Sequence, residues 1–60
     1  MSELLTVKEV ADRLRIGERT VQRLISTGEL RSALVRRRRL VSAEEVDRYF
    51  RLAERRARVA

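Results

Sequence analysis

The stretch TVKEVADRLRIGERTVQRLISTG, from Thr6 to Gly28, predicts two short helices joined by a tight corner. Thr6 and Glu9 have the spacing of a capping box, in which a hydroxyl and a carboxylate satisfy free amide hydrogens at a helix start. Apolar residues then recur with the helical period, at Val7, Val10, Ala11 and Leu14. We therefore expect a first helix over about residues 6–14.

A corner is predicted next, where Gly17 can adopt positive φ or N-cap geometry and Ile16 can pack under the turn. The second helix is expected over about residues 18–27, since Gly28 can supply a left-handed C-cap. Its apolar residues are spaced for one inward face and are Val21, Leu24 and Ile25. Many all-helical domains share such a pair, so it does not identify a function alone.

The opposite face of the second helix is polar. A rotation of about 100° per residue places Arg19 and Arg23 there, with Thr20 and Gln22 on the flanks. Guanidinium, amide and hydroxyl groups provide the donors and acceptors that base edges and phosphates require. A solvated helix surface is the alternative interpretation. The candidate DNA contacts on this helix are Arg19, Thr20, Gln22 and Arg23.

Residues 33–41 are expected to form a short β-hairpin with an arginine tip. Its four basic residues are Arg36, Arg37, Arg38 and Arg39. Arginine suits a DNA contact because its planar fork grips phosphate and narrow minor grooves carry enhanced negative potential. A basic run is also typical of a localisation signal or a solvated stretch. Apolar pairs bracket this run, which favours an anchored loop that contacts DNA.

A third helix is predicted over about residues 43–58, preceded by a second capping box formed by Ser42 and Glu45. Its inner stripe is expected to comprise Val46, Phe50, Ala53 and Ala57, with Tyr49 at the edge. Ion pairs with i,i+4 spacing are expected for Glu44–Arg48, Asp47–Arg51 and Glu54–Arg58. Leu52 is expected to point outward, where a protein partner can contact it.

Composition limits these interpretations. Sixty residues correspond to one domain, residues 1–60, with a small core. The formal net charge is +6, and ten basic against five acidic residues precede Ala43, compared with five against four from there onward. The excess therefore lies in the helix pair and hairpin. Such a field attracts polyanions, and salt should weaken that attraction steeply.

Several kinds of chemistry are excluded by missing residue types. The chain has no cysteine and no histidine, which rules out thiolate, imidazole and zinc chemistry. It also lacks a glycine-rich phosphate loop and a nucleophile paired with a base. We expect no enzymatic activity, no metal or other cofactor, and no small-molecule ligand. Without a long apolar run or signal-peptide pattern, we expect no membrane association and a cytoplasmic location.

Four segments carry a resemblance to a known family: Leu4–Ala11, Thr20–Ile25, Gly28–Leu30 and Ser42–Phe50. They resemble the excisionase family of MerR-like winged helix-turn-helix domains over residues 4–50. The resemblance implies a mainly α fold with a short β-hairpin, in the order α-α-β-β-α. It also implies that the helix with Arg19, Thr20, Gln22 and Arg23 enters the major groove. The wing with Arg36 to Arg39 would follow the neighbouring minor groove or backbone.

The chain departs from the family pattern at three positions. Arginine replaces the glycine that is common at Arg15 and at Arg36, and it replaces the aromatic residue common near Arg39. A two-residue hairpin turn needs positive φ, which glycine adopts most easily. Because glycine is absent from the tip, we expect the tip to be irregular or mobile until DNA binds.

The resemblance implies one of two functions. A recombination directionality factor binds repeated sites beside an attachment site, bends the DNA and directs a phage integrase towards excision. A small MerR-like transcription regulator, or a DNA-binding fragment of one, uses the same domain at a promoter. We favour the first because the chain ends soon after the domain. Monomers loading head to tail in the cytoplasm of a bacterial host, associated with the nucleoid, are then expected.

RNA and anionic membranes are alternative ligands for the same arginines. RNA recognition usually requires stacking aromatic side chains, and the chain has only Tyr49 and Phe50, both assigned to the third helix. A membrane-surface helix needs a broader apolar face than the third helix offers. Double-stranded DNA is therefore the expected partner.

Overall fold

The computed structural model describes residues 3–59, and Val59 only through its backbone. This part of the chain contains three helices and a three-stranded antiparallel sheet. The elements in chain order are β1 (Leu4–Thr6), α1 (Val7–Leu14), α2 (Glu18–Ser26), β2 (Ala33–Val35), β3 (Arg38–Ser42) and α3 (Ala43–Val59). The predicted mainly α fold with a short β-hairpin is confirmed, and it is consistent with a winged helix-turn-helix.

The strand β1 is an addition to the predicted architecture. It pairs with β3, which lies in the middle of the sheet between β1 and β2. Leu5 of β1 lies opposite Val41 of β3, and both side chains are buried. Three residues are too short to show the alternation that identifies a strand in sequence. The pairing attaches the chain start to the hairpin and closes the sheet over the helices.

The core lies between the inner face of this sheet and the three helices. Its members come from every helix, from β1 and β3, and from the segment that precedes β2. They are Leu5, Val10, Ala11, Val21, Leu24, Leu30, Val41 and Val46. The predicted inward faces of α1 and α2 are thereby confirmed. Burial of this set away from water is the main force that fixes α2 relative to the hairpin.

The start of α1 has the predicted capping box. The Thr6 amide donates to Oε1 of Glu9 at 2.9 Å, and the Glu9 amide donates to the Thr6 hydroxyl at 3.2 Å. The pKa of Glu9 is lowered, first by the hydrogen bond that the Thr6 amide donates to its carboxylate and then by the Thr6 hydroxyl. The box fixes the point at which β1 turns into α1.

The corner between α1 and α2 is built differently from the prediction. Arg15, rather than Gly17, takes the left-handed conformation, with φ 58° and ψ 44°. Its amide and that of Ile16 donate to carbonyls of the last α1 turn, which completes the C-cap. Gly17 has extended N-cap geometry at φ −74°, one of the two roles expected for it. Arg15 thus adopts the conformation that glycine commonly supplies.

The second predicted capping box forms only in part. The Ser42 hydroxyl accepts a hydrogen bond from the Glu45 amide at 3.1 Å, as expected. The Glu45 carboxylate instead accepts hydrogen bonds from the Arg31 amide and the Arg48 guanidinium. Arg48, one turn along α3, and the distant Arg31 amide therefore take the place of the Ser42 amide, which lies in the β3 strand.

The predicted inner stripe of α3 is wrong beyond its first turns. Val46 is buried, but Phe50 is 53% exposed because it lies at the margin of the side that packs on the core. Ala57 is exposed because the end of α3 projects past the core. Tyr49 packs against the core instead. Leu52, expected to point outward, is half-buried beside the segment that contains Gly28.

The predicted intrahelical ion pairs of α3 are also largely wrong. Within residues 3–59, neither Asp47–Arg51 nor Glu54–Arg58 forms an ion pair. Arg48 pairs with Glu45, three residues before it. Exposed pairs at i,i+4 contribute only about 0.2–0.5 kcal/mol, so spacing alone does not guarantee them.

Candidate nucleic-acid interface

The helix α2 is held by its inner face and leaves its outer face free. Val21 is fully buried and Leu24 nearly so, while the predicted contact residues lie on the other side. All four of them are exposed: Arg19, Thr20, Gln22 and Arg23. The rotation of about 100° per residue places Thr20 and Gln22 on opposite flanks. The structure therefore presents the predicted donors and acceptors to solvent, as a groove-binding helix requires.

The end of α2 is fixed by local hydrogen bonds. The Ser26 hydroxyl donates to the Arg23 carbonyl, and the Thr27 hydroxyl lies 3.2 Å from the Leu24 carbonyl. Gly28 follows with φ 85°, in the left-handed conformation predicted for it. The Leu30 amide then donates to the Leu24 carbonyl at 3.1 Å. These contacts set the direction in which the chain leaves α2 towards the hairpin.

The hairpin has a tight, regular tip. Arg36 and Arg37 form a two-residue turn with φ values of 48° and 70°, between β2 and β3. Positive φ at both positions is the requirement of a type I′ turn. The expectation of an irregular tip is therefore wrong, since two arginines accept the conformation that Asn-Gly usually supplies. Left-handed backbone costs roughly 1–2 kcal/mol per residue with a Cβ, so the tip stores strain.

The two remaining basic residues of the hairpin lie on opposite faces of the sheet. Side chains alternate along a strand, so Arg39 shares the helix-facing side with the buried Val41, whereas Arg38 points to the outer side. The Arg39 guanidinium donates to the Ser32 hydroxyl at 3.4 Å. The four predicted arginines thus divide into two at the tip, one facing α2 and one facing away.

A groove between α2 and the hairpin brings two of the predicted contacts together. It is lined by Val7, Gln22, Ile25, Ser26 and Arg39. Gln22 and Arg39 therefore face a shared space, while Thr20 lies on the other flank of α2. Ser26 also lines the groove, although it is not among the candidate contacts from the sequence. Its position four residues after Gln22 is the signal that identifies it.

The guanidinium groups of this surface are available to a ligand. Within residues 3–59, none of them takes part in an ion pair: Arg19, Arg23, Arg36, Arg37 and Arg39. Arg38 is also unpaired in that range, but it lies on the outer side of the sheet. Unpaired exposed cations on two adjoining elements create a positive field over one face of the molecule. Such a face suits the phosphate backbone of a nucleic acid.

A clamp from α3 fixes the segment that joins α2 to the hairpin. The Arg31 amide donates to the Glu45 carboxylate at 2.8 Å, and Arg48 donates to the Glu29 carbonyl at 3.1 Å. Arg48 also binds Glu45 directly, which lowers the pKa of Glu45 and raises that of Arg48. Sequence reasoning missed this clamp, because its partners lie 14 and 19 residues apart.

The described part of the chain offers few other kinds of site. Over residues 3–59, no group of three or more acidic residues is placed to hold a metal ion. In the same range, no helix is both long and apolar enough to cross a membrane.

Comparison with known proteins identifies the domain type. A family model described as a helix-turn-helix domain matches residues 4–51, which include β1, both elements of the groove and the first half of α3. No curated protein and no solved structure gives a significant match.

Proposed function

The chain belongs to the helix-turn-helix domain family of DNA-binding proteins, and from this we propose how its two exposed elements divide the contact with DNA. The helix α2 enters the major groove, and the hairpin lies along the adjacent minor groove or backbone. The observation that carries the proposal is the groove between them, in which Gln22 of α2 faces Arg39 of the hairpin.

The chemistry of each element suits its proposed role. Gln22 can form a bidentate contact with adenine and Arg23 with guanine, which distinguishes base pairs in the major groove. The tip arginines Arg36 and Arg37 project from the end of the hairpin, where phosphate contacts need charge rather than a fixed donor pattern. We therefore propose sequence-specific recognition by α2 and largely sequence-independent attraction by the hairpin.

We further propose that the protein is a small excisionase, a recombination directionality factor. It would bind repeated sites, bend the DNA and direct a phage integrase towards excision. One domain of this size reaches a single major groove and its flank, so useful specificity requires several copies. Head-to-tail loading on repeated sites would supply them and curve the duplex. A small MerR-like regulator would use the same contacts at a promoter.

The proposal assigns no catalytic step to this protein. Recombination chemistry would belong to the integrase, while this chain supplies affinity and DNA geometry. The site of action would be the cytoplasm of a bacterial host.

The first test is binding to duplex DNA, RNA and anionic vesicles in competition at several salt concentrations. We expect duplex DNA to compete best and the affinity to fall steeply with salt. Gln22→Ala and Arg39→Ala should weaken binding, whereas Arg55→Ala, on the outer side of α3, serves as the matched control. Preference for RNA or vesicles would refute the proposed ligand.

The second test separates excision from promoter control. Footprinting on DNA beside the encoding gene should show protection that extends over repeated sites as protein increases. A recombination assay with the neighbouring integrase should then show excision that depends on this protein. One isolated protected half-turn at a promoter, with no effect on excision, would favour the transcription regulator.

A further inference from the structure

The second half of α3 exposes apolar surface that the protein's own core does not cover. Phe50 is 53% exposed, and Ala57, two turns further along the helix, is also exposed. Ala53 lies between them and is half-buried. A large aromatic side chain followed by two small ones on the same side is an uneven surface that another helix can fill.

Four charged side chains border this surface on one flank. Counting about 100° per residue, they lie between about 40° and 100° around the helix from Phe50, all in the same direction. They are Asp47, Arg51, Glu54 and Arg58. Within residues 3–59, none of the four takes part in an ion pair. The flank therefore presents two acidic and two basic groups with no intramolecular partner.

We propose that this face binds a second copy of the chain, through antiparallel pairing of the two α3 helices about a two-fold axis. The order of the four charges is self-complementary in one register. When Asp47 lies opposite Arg58 of the second copy, Arg51 lies opposite Glu54 of that copy. Two-fold symmetry then repeats both contacts, which gives four intermolecular ion pairs.

The same register also fits the apolar side chains. Phe50 of each copy lies at the level midway between Ala53 and Ala57 of the other. A large side chain seated between two small ones on the facing helix is the knob-into-hole arrangement of paired helices. Charge order and side-chain size thus select the same register independently.

Another exposed apolar surface is less suited to a second copy of the chain. It is the outer face of the sheet, which includes Leu4 and Val35. Basic side chains border it, with Arg31 near Leu4 and Arg38 opposite Val35. Two copies meeting there would bring like charges together, which opposes association.

The pairing would leave the proposed DNA surface open. The helix α3 packs mainly on β3 and α1, so its free flank is separate from α2 and the hairpin tip. The contact is small, and interfaces below about 1,200 Å² are typically weak. Copies held close together on DNA reach a high effective concentration, at which a weak contact forms. A dimer of this kind would join two DNA-bound copies across the two-fold axis. If each copy belongs to a head-to-tail row on repeated sites, the dimer would also join the two rows.

The experiment is sedimentation equilibrium of the whole chain, from micromolar concentrations to about 1 mM. We expect a reversible monomer–dimer equilibrium. Asp47→Arg and Arg58→Asp should each weaken the dimer by about tenfold or more, because each places like charges opposite one another. An equimolar mixture of the two variants should dimerise again, since every opposed pair then has opposite signs.

The matched control is Arg56→Glu, a charge reversal on the opposite side of α3 by the same count of about 100° per residue. It loses an exposed ion pair with Glu29 and should leave the dimer unchanged. Circular dichroism checks that each variant keeps its helices. Affinity for a single short DNA site should stay within about twofold for Asp47→Arg. A monomer at every concentration, an equal loss for Arg56→Glu, or no recovery on mixing would overturn the pairing. Single-site DNA binding tests the proposed function separately, so either idea can fail alone.

Discussion

The helix α2 and the hairpin tip both present arginines to solvent, yet the fold supports them in different ways. Val21 and Leu24 of α2 are buried in the core, so the backbone that carries the outer side chains of α2 is held in place. The tip has no buried residue, and its turn residues Arg36 and Arg37 hold positive φ. A helix held in one position suits contacts with base edges, whereas a projecting pair of charges suits contacts with the DNA phosphates.

The two elements also differ in backbone strain, which is confined to the hairpin tip in this comparison. An Asn-Gly tip would relieve the left-handed strain at Arg36 and Arg37. The chain instead has arginines at two positions where positive φ strains any residue with a Cβ. We infer that charge at the tip matters more to this protein than an unstrained turn.

The largest expected effect comes from removing the support of α2. Leu24→Ala leaves a cavity at a nearly buried position and should lower the free energy of unfolding by roughly 2–5 kcal/mol. Thermal or urea unfolding followed by circular dichroism measures the change. Ile25→Ala, at a half-buried position on the same helix, is the milder comparison. A loss no larger than that of Ile25→Ala would show that α2 is not anchored as described.

The next effect concerns base reading. Gln22→Ala or Arg23→Ala should reduce discrimination between specific and altered sites by about 1–3 kcal/mol, with folding unchanged. Affinities for a set of single-base variants of the footprinted site give the measurement. If both substitutions weaken all sequences equally, the contacts are to phosphate and the role assigned to α2 is wrong.

Replacing the tip tests the other half of the comparison. The double substitution Arg36→Asn with Arg37→Gly should raise the free energy of unfolding by about 1–2 kcal/mol, because it relieves left-handed strain. Affinity for all duplexes should fall together, and the slope of log K against log salt should decrease by roughly 2 if both side chains contact phosphate. Unchanged affinity with increased stability would place the tip away from DNA.

The smallest effect concerns the clamp that sets α2 relative to the hairpin. Binding by Arg48 lowers the pKa of Glu45 from its ordinary value of 4.5, so the folded state holds the ionised form more tightly than the unfolded chain does. The stabilisation is therefore complete above about pH 4.5 and is lost as pH falls through the lowered pKa. Glu45→Gln should cost about 1 kcal/mol at neutral pH and less in acid.

Unfolding midpoints from about pH 7 down to pH 3 measure this dependence. Glu18→Gln, which removes an exposed carboxylate in the first turn of α2, is the control for loss of charge alone. An identical pH profile for Glu45→Gln and the unaltered protein would contradict the clamp.

The two predicted capping boxes differ in how completely they form. The pair Thr6 and Glu9 forms the complete box, because Glu9 is exposed and its strongest neighbour is the Thr6 amide. The pair Ser42 and Glu45 has the same spacing, but Arg48 and the Arg31 amide take its carboxylate. A motif specifies the donors and acceptors, and the surroundings decide which of them meet.

The helix α3 shows the same limit for hydrophobic periodicity. Its apolar spacing predicted Phe50, Ala53 and Ala57 as an inner stripe, and the stripe does exist on one side of the helix. Periodicity defines which residues share a side, but not where the core stops covering that side. Phe50 lies at the margin of the covered side and Ala57 beyond its end, so both are exposed, whereas Ala53 between them is half-buried.

The sequence by itself determined the helices, the hairpin, the outward face of α2 and the arginine tip. Each of these follows from interactions within a few residues, such as periodic apolar spacing, Thr6 capping and the left-handed Gly28. Only the tertiary structure decided the β1 pairing, the groove that Gln22 and Arg39 both line and the end of the core along α3. Those features depend on contacts between segments distant in the chain, and local pattern carries no information about their distances.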